Sequence, residues 1–252
     1  MSFIKRANLP KLPVKTAIIG KTDEELLKFI KSFGIEVIPV DENRFVEPSI
    51  SFHADINAFY FGRGEILLDK SQILLFNALK ERGMKVMLTE SAVSGAYPND
   101  CKLNFALLSD KLIGRIDVAD KRIKELPCRT LNVRQGYAKC STCIVNENAV
   151  ITDDLTIEKI CIKNGIDVLL IEKGDIFLPG HEYGFIGGAS GLISKDHMIF
   201  FGDITGHRSF AKIDRFLKKH GCRYSYLKNL VLTDFGGIIA VEEFQSDNPN
   251  KA

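Results

Sequence analysis

The sequence lacks several features that mark specialised protein classes. Its 252 residues contain no apolar run near the ~20 residues that a membrane-spanning helix needs, and the N-terminal segment lacks the apolar core of a secretory signal. The formal net charge of +2 argues against a nucleic-acid binder that neutralises phosphates. Six cysteines at irregular spacing do not make a disulfide framework in a chain of this length. We therefore expect a reduced, cytoplasmic protein without nucleic-acid or membrane partners.

The usual cofactor motifs are also missing. The most glycine-dense segment, PGHEYGFIGGASG at 179–191, is not the G-x-G-x-x-G turn of dinucleotide-binding proteins. A tight hairpin is the favoured interpretation of this segment, and a close approach of backbone to a ligand is the alternative. Cys140 and Cys143 form a C-x-x-C pair, but a predicted strand follows it, and no second Cys or His pair completes a zinc site. A redox or metal role for the pair is therefore the less favoured reading, and we expect no metal and no cofactor.

The remaining composition is that of an ordinary globular protein, with 45% hydrophobic and 26% charged residues. Its first part predicts a strand at 14–19 and then a helix that begins at Thr22, with Glu25 completing a capping box. Gly34 follows the apolar stripe of this helix, where a left-handed residue commonly ends a helix. A second strand is predicted at 35–40.

The same order of elements returns four more times. Helices are predicted at 71–82, 117–126, 154–164 and 207–220, each between short apolar strands. Gly83, Gly165 and Gly221 follow three of these helices, and Pro127 follows the other. A last strand at 237–241 has no helix after it, so we expect it to pair with the N-terminal unit and join the two ends of the chain.

This recurrence predicts an α/β fold of five strand–strand–helix–strand (ββαβ) units. We expect a propeller closed into a ring around a central channel, as a single domain that covers 1–252. A two-domain, doubly wound α/β protein is the alternative, because it uses the same alternation of strands and helices.

One polar side chain precedes the first strand of each unit, at intervals of roughly 40 to 50 residues. These positions are Asp55, Lys102, Cys140, Glu182 and Asp234. Equivalent positions of units arranged around an axis lie near that axis, so we expect these side chains to surround one central pocket. His53 and His181 are close to two of them in sequence.

Two strings resemble a known superfamily. HADINAFYF, which contains His53 and Asp55, is similar to an H-x-D-x-x-x-F segment of the penteins, and GYAKCSTC, which contains Cys140, is similar to their glycine-led nucleophile loop. Pentein enzymes include guanidine-modifying hydrolases and amidinotransferases such as arginine deiminase and dimethylarginine dimethylaminohydrolase. The resemblance implies a ring of five ββαβ units with the catalytic His unit two places before the Cys unit. His53 and Cys140 belong to the second and fourth units.

The resemblance assigns roles to these residues. Cys140 is the expected nucleophile, which attacks the guanidinium carbon, and His53 is the expected acid or base that protonates the departing amine. A neighbouring cation, such as Lys139 or a protonated histidine, is expected to lower the pKa of the thiol. His53 and Asp55 are two residues apart, so on an extended strand they would face the same way.

The expected ligand is a small cationic guanidino or amidino compound. Carboxylates suit a planar guanidinium because each accepts two parallel hydrogen bonds. The predicted substrate-binding residues are Asp55, Glu182, Asp234 and, with lower rank, His181.

One departure from the family pattern leaves alternatives open. The nucleophile of pentein enzymes usually lies near the C-terminus, whereas Cys140 is in the middle of the chain. Either the units are used in a rotated order, or the match at Cys140 arises by chance. Because the same fold also hosts proteins without activity, a pseudoenzyme or a non-catalytic binding protein for a small molecule or a macromolecule is the second hypothesis.

Overall fold

The computed structural model describes residues 2–245. The predicted span of 1–252 therefore includes residue 1 and residues 246–252, which lie outside the described residues.

Short strands and helices alternate along the chain. The strands are β1 (Ser2–Phe3), β2 (Val14–Ile19), β3 (Glu36–Pro39), β4 (Ala58–Gly62), β5 (Glu65–Leu68), β6 (Lys85–Leu88), β7 (Ala106–Leu108), β8 (Lys111–Gly114), β9 (Arg129–Asn132), β10 (Thr142–Asn146), β11 (Ala149–Thr152), β12 (Asp167–Leu170), β13 (Ser190–Ser194), β14 (His197–Phe200), β15 (Arg223–Tyr226) and β16 (Ile238–Glu243). The α-helices are α1 (Glu24–Lys31), α2 (Ala54–Asn57), α3 (Ile73–Glu81), α4 (Lys121–Lys124), α5 (Leu155–Lys163) and α6 (Phe210–Lys219). None of the helices within 2–245 combines the length and the apolarity needed to span a bilayer.

The strands form five small mixed sheets, which confirms the α/β class. Four sheets have the orders β4-β5-β6, β7-β8-β9, β10-β11-β12 and β13-β14-β15. In each of them the first pair is antiparallel and the second pair is parallel, with a helix between the parallel strands. This is the predicted ββαβ order, and it differs from the open sheet that the doubly wound alternative requires.

The fifth sheet joins the two ends of the chain. Its order is β1-β16-β2-β3, with β16 antiparallel to β2 and Ile238 opposite Ile19. The prediction that the last strand completes the N-terminal unit is therefore confirmed.

The first strands of neighbouring sheets pack against one another. β16 contacts β4 and β13, and β10 contacts β7 and β13. All six residues of β16 are buried, including Glu242 and Glu243. Side chains that lie just before β4, β10 and β16 thereby meet in the interior.

Several predicted boundaries were wrong. Asp23, not Thr22, caps α1, because its Oδ1 accepts a hydrogen bond from the backbone N–H of Leu26 at 2.7 Å. The third-unit helix predicted at 117–126 is reduced to the single turn of α4, which follows a 3₁₀ turn and is capped by Asp120. The fifth-unit helix begins at Phe210 rather than at 207.

The glycine-dense segment also differs from its prediction. A tight hairpin over 179–191 was expected, but residues 186–189 form a turn and β13 begins only at Ser190. Gly187 and Gly188 occupy this turn because backbone atoms or a carboxylate lie where a Cβ would stand. These glycines are therefore positions where other parts of the chain come close to the backbone, and the predicted approach to a ligand stays a prediction.

The helix-ending glycines provide a test of the fold. Gly34 has a φ of +77° with no atom within 4 Å of an added Cβ, so alanine would be strained by its backbone alone. We expect Gly34→Ala to lower the free energy of unfolding by about 1–2 kcal/mol in chemical denaturation. Gly206 is the matched control, because it is equally uncrowded without a left-handed φ. Gly206→Ala should be neutral or stabilise the protein by about 0.4–1 kcal/mol. Equal effects of the two changes would contradict the left-handed conformation of Gly34.

Candidate active site

A cavity of about 290 Å³ contains most of the residues singled out in the sequence. His53, Cys140 and Asp234 are buried at this cavity, with 4%, 3% and 2% of their surface exposed. The walls are mainly apolar and aromatic: Ile50, Tyr137, Leu178, Tyr183 and Phe185. His181 and Glu182 also line it and are exposed.

His53 and Asp55 are presented by a helical turn rather than by a strand. His53 is the N-cap of α2, and Asp55 lies in its first turn. The side chain of Asn57 donates to the carbonyl oxygens of His53 (2.9 Å) and Ser51 (3.0 Å), which fixes the turn. The prediction of an extended segment was wrong, although the turn still directs His53 and Asp55 toward the same thiol.

Cys140 lies in the turn at 138–141 that precedes β10. Its Sγ donates to Oδ2 of Asp55 at 3.0 Å and accepts from Nδ2 of Asn104 at 3.2 Å. Oδ1 of Asn104 accepts from the backbone N–H groups of Lys139 (2.8 Å) and Cys140 (3.2 Å). Asn104 also donates to the carbonyl oxygen of Asp55 at 3.2 Å, so one amide holds both the Cys140 turn and the Asp55 turn.

Asp234 is held by backbone donors. Its carboxylate accepts from the N–H of Phe185 at 2.9 Å and from the N–H of Gly236 at 3.0 Å. An added Cβ at Gly188 would stand 1.9 Å from Oδ1 of Asp234, so only glycine leaves room for this carboxylate. Nδ1 of His53 lies 3.7 Å from Oδ1 of Asp234, close enough for charge attraction but long for a hydrogen bond.

Burial has the largest effect on the pKa values of Cys140 and Asp55. It raises the pKa of the Cys140 thiol well above its usual value, and the charges of Asp55 and Asp234 raise it further. The prediction of a lowered thiol pKa is therefore wrong in sign. Burial also raises the pKa of Asp55 to about 6, against the lowering effect of the Lys139 and His53 charges.

Two buried polar atoms at the site have no hydrogen-bond partner among the described residues. These atoms are Nδ1 of His53 and Oδ1 of Asp55. Ligand atoms of His53, Asp55 and Cys140 all lie within 4.8 Å of one another. Thiolate, imidazole and carboxylate are also the ligands that zinc prefers, so the cluster can bind a cation, either organic or metallic. An unpaired buried polar atom costs roughly 1–3 kcal/mol, so such a ligand would relieve an existing penalty.

Two predicted positions lie apart from this cluster. Lys102 does not line the cavity, and its ammonium donates to Oγ of Ser91 (2.9 Å) and to the carbonyl of Ala92 (3.1 Å). Glu182 is exposed in the loop before β13, because the strand begins eight residues after it. The predicted equivalence of Glu182 with Asp55 was therefore wrong, although its side chain borders the cavity.

Asn104 and Tyr137 are the site residues that the sequence argument did not find. Asn104 lies two residues before β7, the same distance at which Cys140 precedes β10. The sequence argument placed Lys102 at this position instead. Tyr137 lines the cavity while its hydroxyl donates to Asp100 at 2.6 Å, a pairing that no sequence pattern signals.

Comparison with known proteins assigns the chain to a family. Residues 17–239 match a family described as a family of unknown function, DUF6873. The chain belongs to this family. No curated protein matches the DUF6873 chain in sequence.

Solved structures share its fold. SxtG, an amidinotransferase from Microseira wollei in the saxitoxin biosynthetic pathway, has a TM-score of 0.61 and 11% identity over 96% of this chain and 98% of its own. The inosamine-phosphate amidinotransferase StrB1 from Streptomyces griseus has a TM-score of 0.61 and 12% identity over 98% of both chains. A DDAH mutant from Pseudomonas aeruginosa complexed with citrulline has a TM-score of 0.55 and 11% identity over 92% and 100%. The DUF6873 chain therefore has the pentein fold, as the two sequence strings predicted.

The raised pKa of Asp55 predicts how cation binding depends on pH. Asp55 is protonated below a pKa of about 6 and charged above it, so the site should attract a cation more strongly as pH rises. We expect the affinity for acetamidinium, measured by calorimetry, to increase about tenfold between pH 5 and pH 7.

Asp55→Asn should remove this pH dependence. Asp153→Asn is the matched control, because burial also raises the pKa of Asp153 to about 6 but Asp153 is not part of the cluster with Cys140 and His53. A pH dependence that survives Asp55→Asn, or that disappears in Asp153→Asn, would show that another group controls binding.

Proposed function

We propose that this protein modifies guanidino or amidino groups, as a hydrolase or an amidinotransferase, with Cys140 as its nucleophile. The observation that supports this most strongly is the convergence of Cys140, His53 and Asp55 within 4.8 Å at a cavity that Asp234 also lines. If the match at Cys140 had arisen by chance, the thiol would not be expected to lie beside both His53 and Asp55. A rotated order of units accounts for the mid-chain position of Cys140.

The carboxylates are suited to hold a cation beside the sulfur. Asp234 lines the cavity beside His53, and Asp55, which does not line it, contacts the Cys140 thiol. A planar guanidinium beside the sulfur would donate charge-assisted hydrogen bonds to Asp234 and gain charge attraction from Asp55 in a low-dielectric setting. Glu182 and His181 border the mouth, where they can contact the ligand as it enters.

The same cation would activate the thiol. Without ligand the pKa of Cys140 is raised by burial and by two negative charges, so the neutral thiol is a weak nucleophile. A bound guanidinium offsets those charges and favours the thiolate. The released proton has two acceptors within 4.8 Å, the carboxylate of Asp55 and the imidazole of His53.

The reaction then needs two substitutions at one carbon. The thiolate of Cys140 forms a C–S bond to the guanidinium carbon, and the C–N bond breaks as His53 donates a proton to the departing amine. Water or an acceptor amine next attacks the S-bound carbon, and His53 takes up its proton. The C–S bond then breaks to return the thiolate, which the proton held by His53 converts back to the thiol. These steps use no metal and no organic cofactor.

Other parts of the proposal concern the whole molecule. The contacts among the first strands, together with the pairing of β16 with β2, support a closed five-unit ring around a central channel and a single domain. We also propose a cytoplasmic location, where six free cysteines stay reduced.

A non-catalytic binding protein is the second candidate. The observation that favours it is the raised pKa of the Cys140 thiol, since a thiol that stays protonated in the complex would bind the cation without reacting.

Selective labelling distinguishes the two candidates. Cys128 is the least buried of the six cysteines, so a reagent guided by exposure alone should modify Cys128 first. We expect chloroacetamidine to alkylate Cys140 in preference to Cys128, as measured by peptide mass spectrometry. We also expect that incubating the protein with a panel of arginine-like compounds yields ammonia, urea or a product that carries a transferred amidino group.

Substitutions complete this test. Cys140→Ser should abolish turnover while the fold persists, because the hydroxyl is a far weaker nucleophile, and His53→Ala should slow turnover by roughly two to four powers of ten. Cys128→Ser serves as the control and should remain active. Labelling that follows exposure, or full activity in Cys140→Ser, would favour the non-catalytic candidate.

A further inference from the structure

Lys139, the residue before the candidate nucleophile, is buried, with only 7% of its surface exposed. Its ammonium forms neither a hydrogen bond nor an ion pair within residues 2–245. The ammonium nitrogen lies beside Gly237, where an added Cβ would stand 3.2 Å from it. A charged group that leaves water without gaining a partner is costly, so this side chain needs a polar partner in the interior.

Two small cavities meet at Lys139. The polar residues that line the first, the inner cavity, are Asn8, Asp55, Tyr60 and Lys139, and its other walls are apolar. Lys139 and Asn8 also line the second cavity. Each cavity has a volume of about 20 Å³. Roughly 10–15 Å³ is enough for one water molecule, so each cavity has room for one.

Asp55 lies between the inner cavity and the candidate active site. It lines the inner cavity but not the active-site cavity, whereas Cys140 lines the active-site cavity but not the inner one. Oδ2 of Asp55 accepts from the Cys140 thiol, and Oδ1 is buried without a hydrogen-bond partner among the described residues. The inner cavity therefore adjoins a carboxylate and an ammonium that each have an unsatisfied polar atom.

The two groups influence each other without touching. No direct ion pair joins Lys139 to Asp55 in the described part of the chain. Burial has the largest effect on the pKa of Asp55 and raises it, and the charge of Lys139 has the next largest and lowers it. The ammonium is therefore near enough to act on the carboxylate, but a molecule between them is needed to complete their hydrogen bonds.

Water is the ligand that suits the inner cavity. One water accepts from an ammonium and donates to a carboxylate oxygen, so a single molecule satisfies both groups. An anion would be repelled by Asp55, and a metal cation would be repelled by Lys139. In the second cavity, the hydroxyls of Thr142 and Ser190 donate to backbone carbonyls at 2.7 and 2.6 Å. Their oxygens can accept from a second water bound to the same ammonium.

We infer that Lys139 is a positioning residue of the candidate active site. A water molecule in the inner cavity accepts from its ammonium and donates to Oδ1 of Asp55, and this bridge holds the charged carboxylate beside the Cys140 thiol. A ligand in the active-site cavity still meets His53, whose Nδ1 is also unpaired. The inference rests on the proposed function, in which a charged Asp55 attracts the cation and accepts the thiol proton.

A crystal structure of the full chain tests the bridge directly. We expect one ordered water in the inner cavity, at roughly 2.7–3.2 Å from both Nζ of Lys139 and Oδ1 of Asp55. A dry inner cavity, or a direct ion pair between the two residues, would overturn the inference. Lys139→Met removes the ammonium and keeps an unbranched side chain, so it should lose this water. Should that variant fail to fold, the wild-type structure alone decides.

The pH dependence of acetamidinium binding tests the effect on Asp55. Because Lys139 lowers the pKa of this carboxyl, Lys139→Met should raise the pH of half-maximal affinity by about one to three units in calorimetry. The affinity at pH 7 should then fall by about twofold or more. A lysine that only packs in the interior would leave this midpoint unchanged. The other titratable groups that act on Asp55, or on which it acts, stay in place: His53, Asp234, Cys140 and Cys101.

Lys111→Met is the matched control. The Lys111 side chain is 18% exposed, pairs with Asp110 and lines neither the active-site cavity nor the two small ones. The change removes the same charge from another largely buried lysine and should leave both the midpoint and the inner water unchanged. Equal shifts in the two variants would show that the net charge of the protein, rather than the water bridge, sets the pKa of Asp55.

The outcomes separate this inference from the proposed function. An unchanged midpoint in Lys139→Met, with stronger acetamidinium binding at every pH, would show that Lys139 only repels the ligand, and the inference would fail. The proposed function would still stand if chloroacetamidine alkylates Cys140 selectively. If labelling instead follows exposure while the water and the shifted midpoint are found, the proposed function fails and Lys139 positions Asp55 in a non-catalytic binding site.

Discussion

The buried contact between the thiol of Cys140 and the carboxylate of Asp55, 3.0 Å apart, is the interaction on which the site depends. Removing a carboxylate from water is unfavourable, and the raised pKa of Asp55 reflects that cost. The thiol hydrogen bond and the charges of Lys139 and His53 offset part of it. Oδ1 of Asp55 and Nδ1 of His53 nevertheless remain without hydrogen-bond partners among residues 2–245. The site therefore suits a ligand that donates hydrogen bonds and carries positive charge.

The fold keeps this polar cluster in place through short turns rather than through the strands themselves. A helical turn precedes β4, and another turn precedes β10, so His53, Asp55 and Cys140 approach one another from two different sheets. Asn104, ahead of a third sheet, joins the two turns with one amide. Three of the five units thus contribute to one hydrogen-bonded cluster, and loosening any of these turns would misplace the thiol.

Much of the fold could be predicted from local patterns. The helix-ending glycines Gly34, Gly83, Gly165 and Gly221 all have positive φ values, because a left-handed residue after a helix is a requirement of local backbone geometry. The strand order within each sheet also followed from the repeated ββαβ order of elements in the sequence. Short helices were less predictable. Helix α4 has a single turn, and its start depends on one capping side chain, that of Asp120.

The site was predicted in part, for a physical reason. His53, Asp55 and Cys140 lie together as expected, because particular residue types at particular spacings carried the resemblance, and Asp234 joins them because it recurs before a strand. Glu182 was misplaced because glycines that favour a hairpin in sequence instead make room for the Asp234 carboxylate. The direction of the Cys140 pKa shift depends on burial and on charges from distant segments, which adjacent residues such as Lys139 do not reveal.

The central claim is that a bound cation, held by buried carboxylates, converts the Cys140 thiol into a nucleophile. The most direct measurement is a pH titration of thiolate absorbance, taken as the difference between the wild-type protein and Cys140→Ala, with and without saturating acetamidinium. The account predicts a high pKa for the free thiol that falls by about one to three units when the cation is bound. A pKa that stays unchanged or rises while calorimetry shows the cation bound would contradict it.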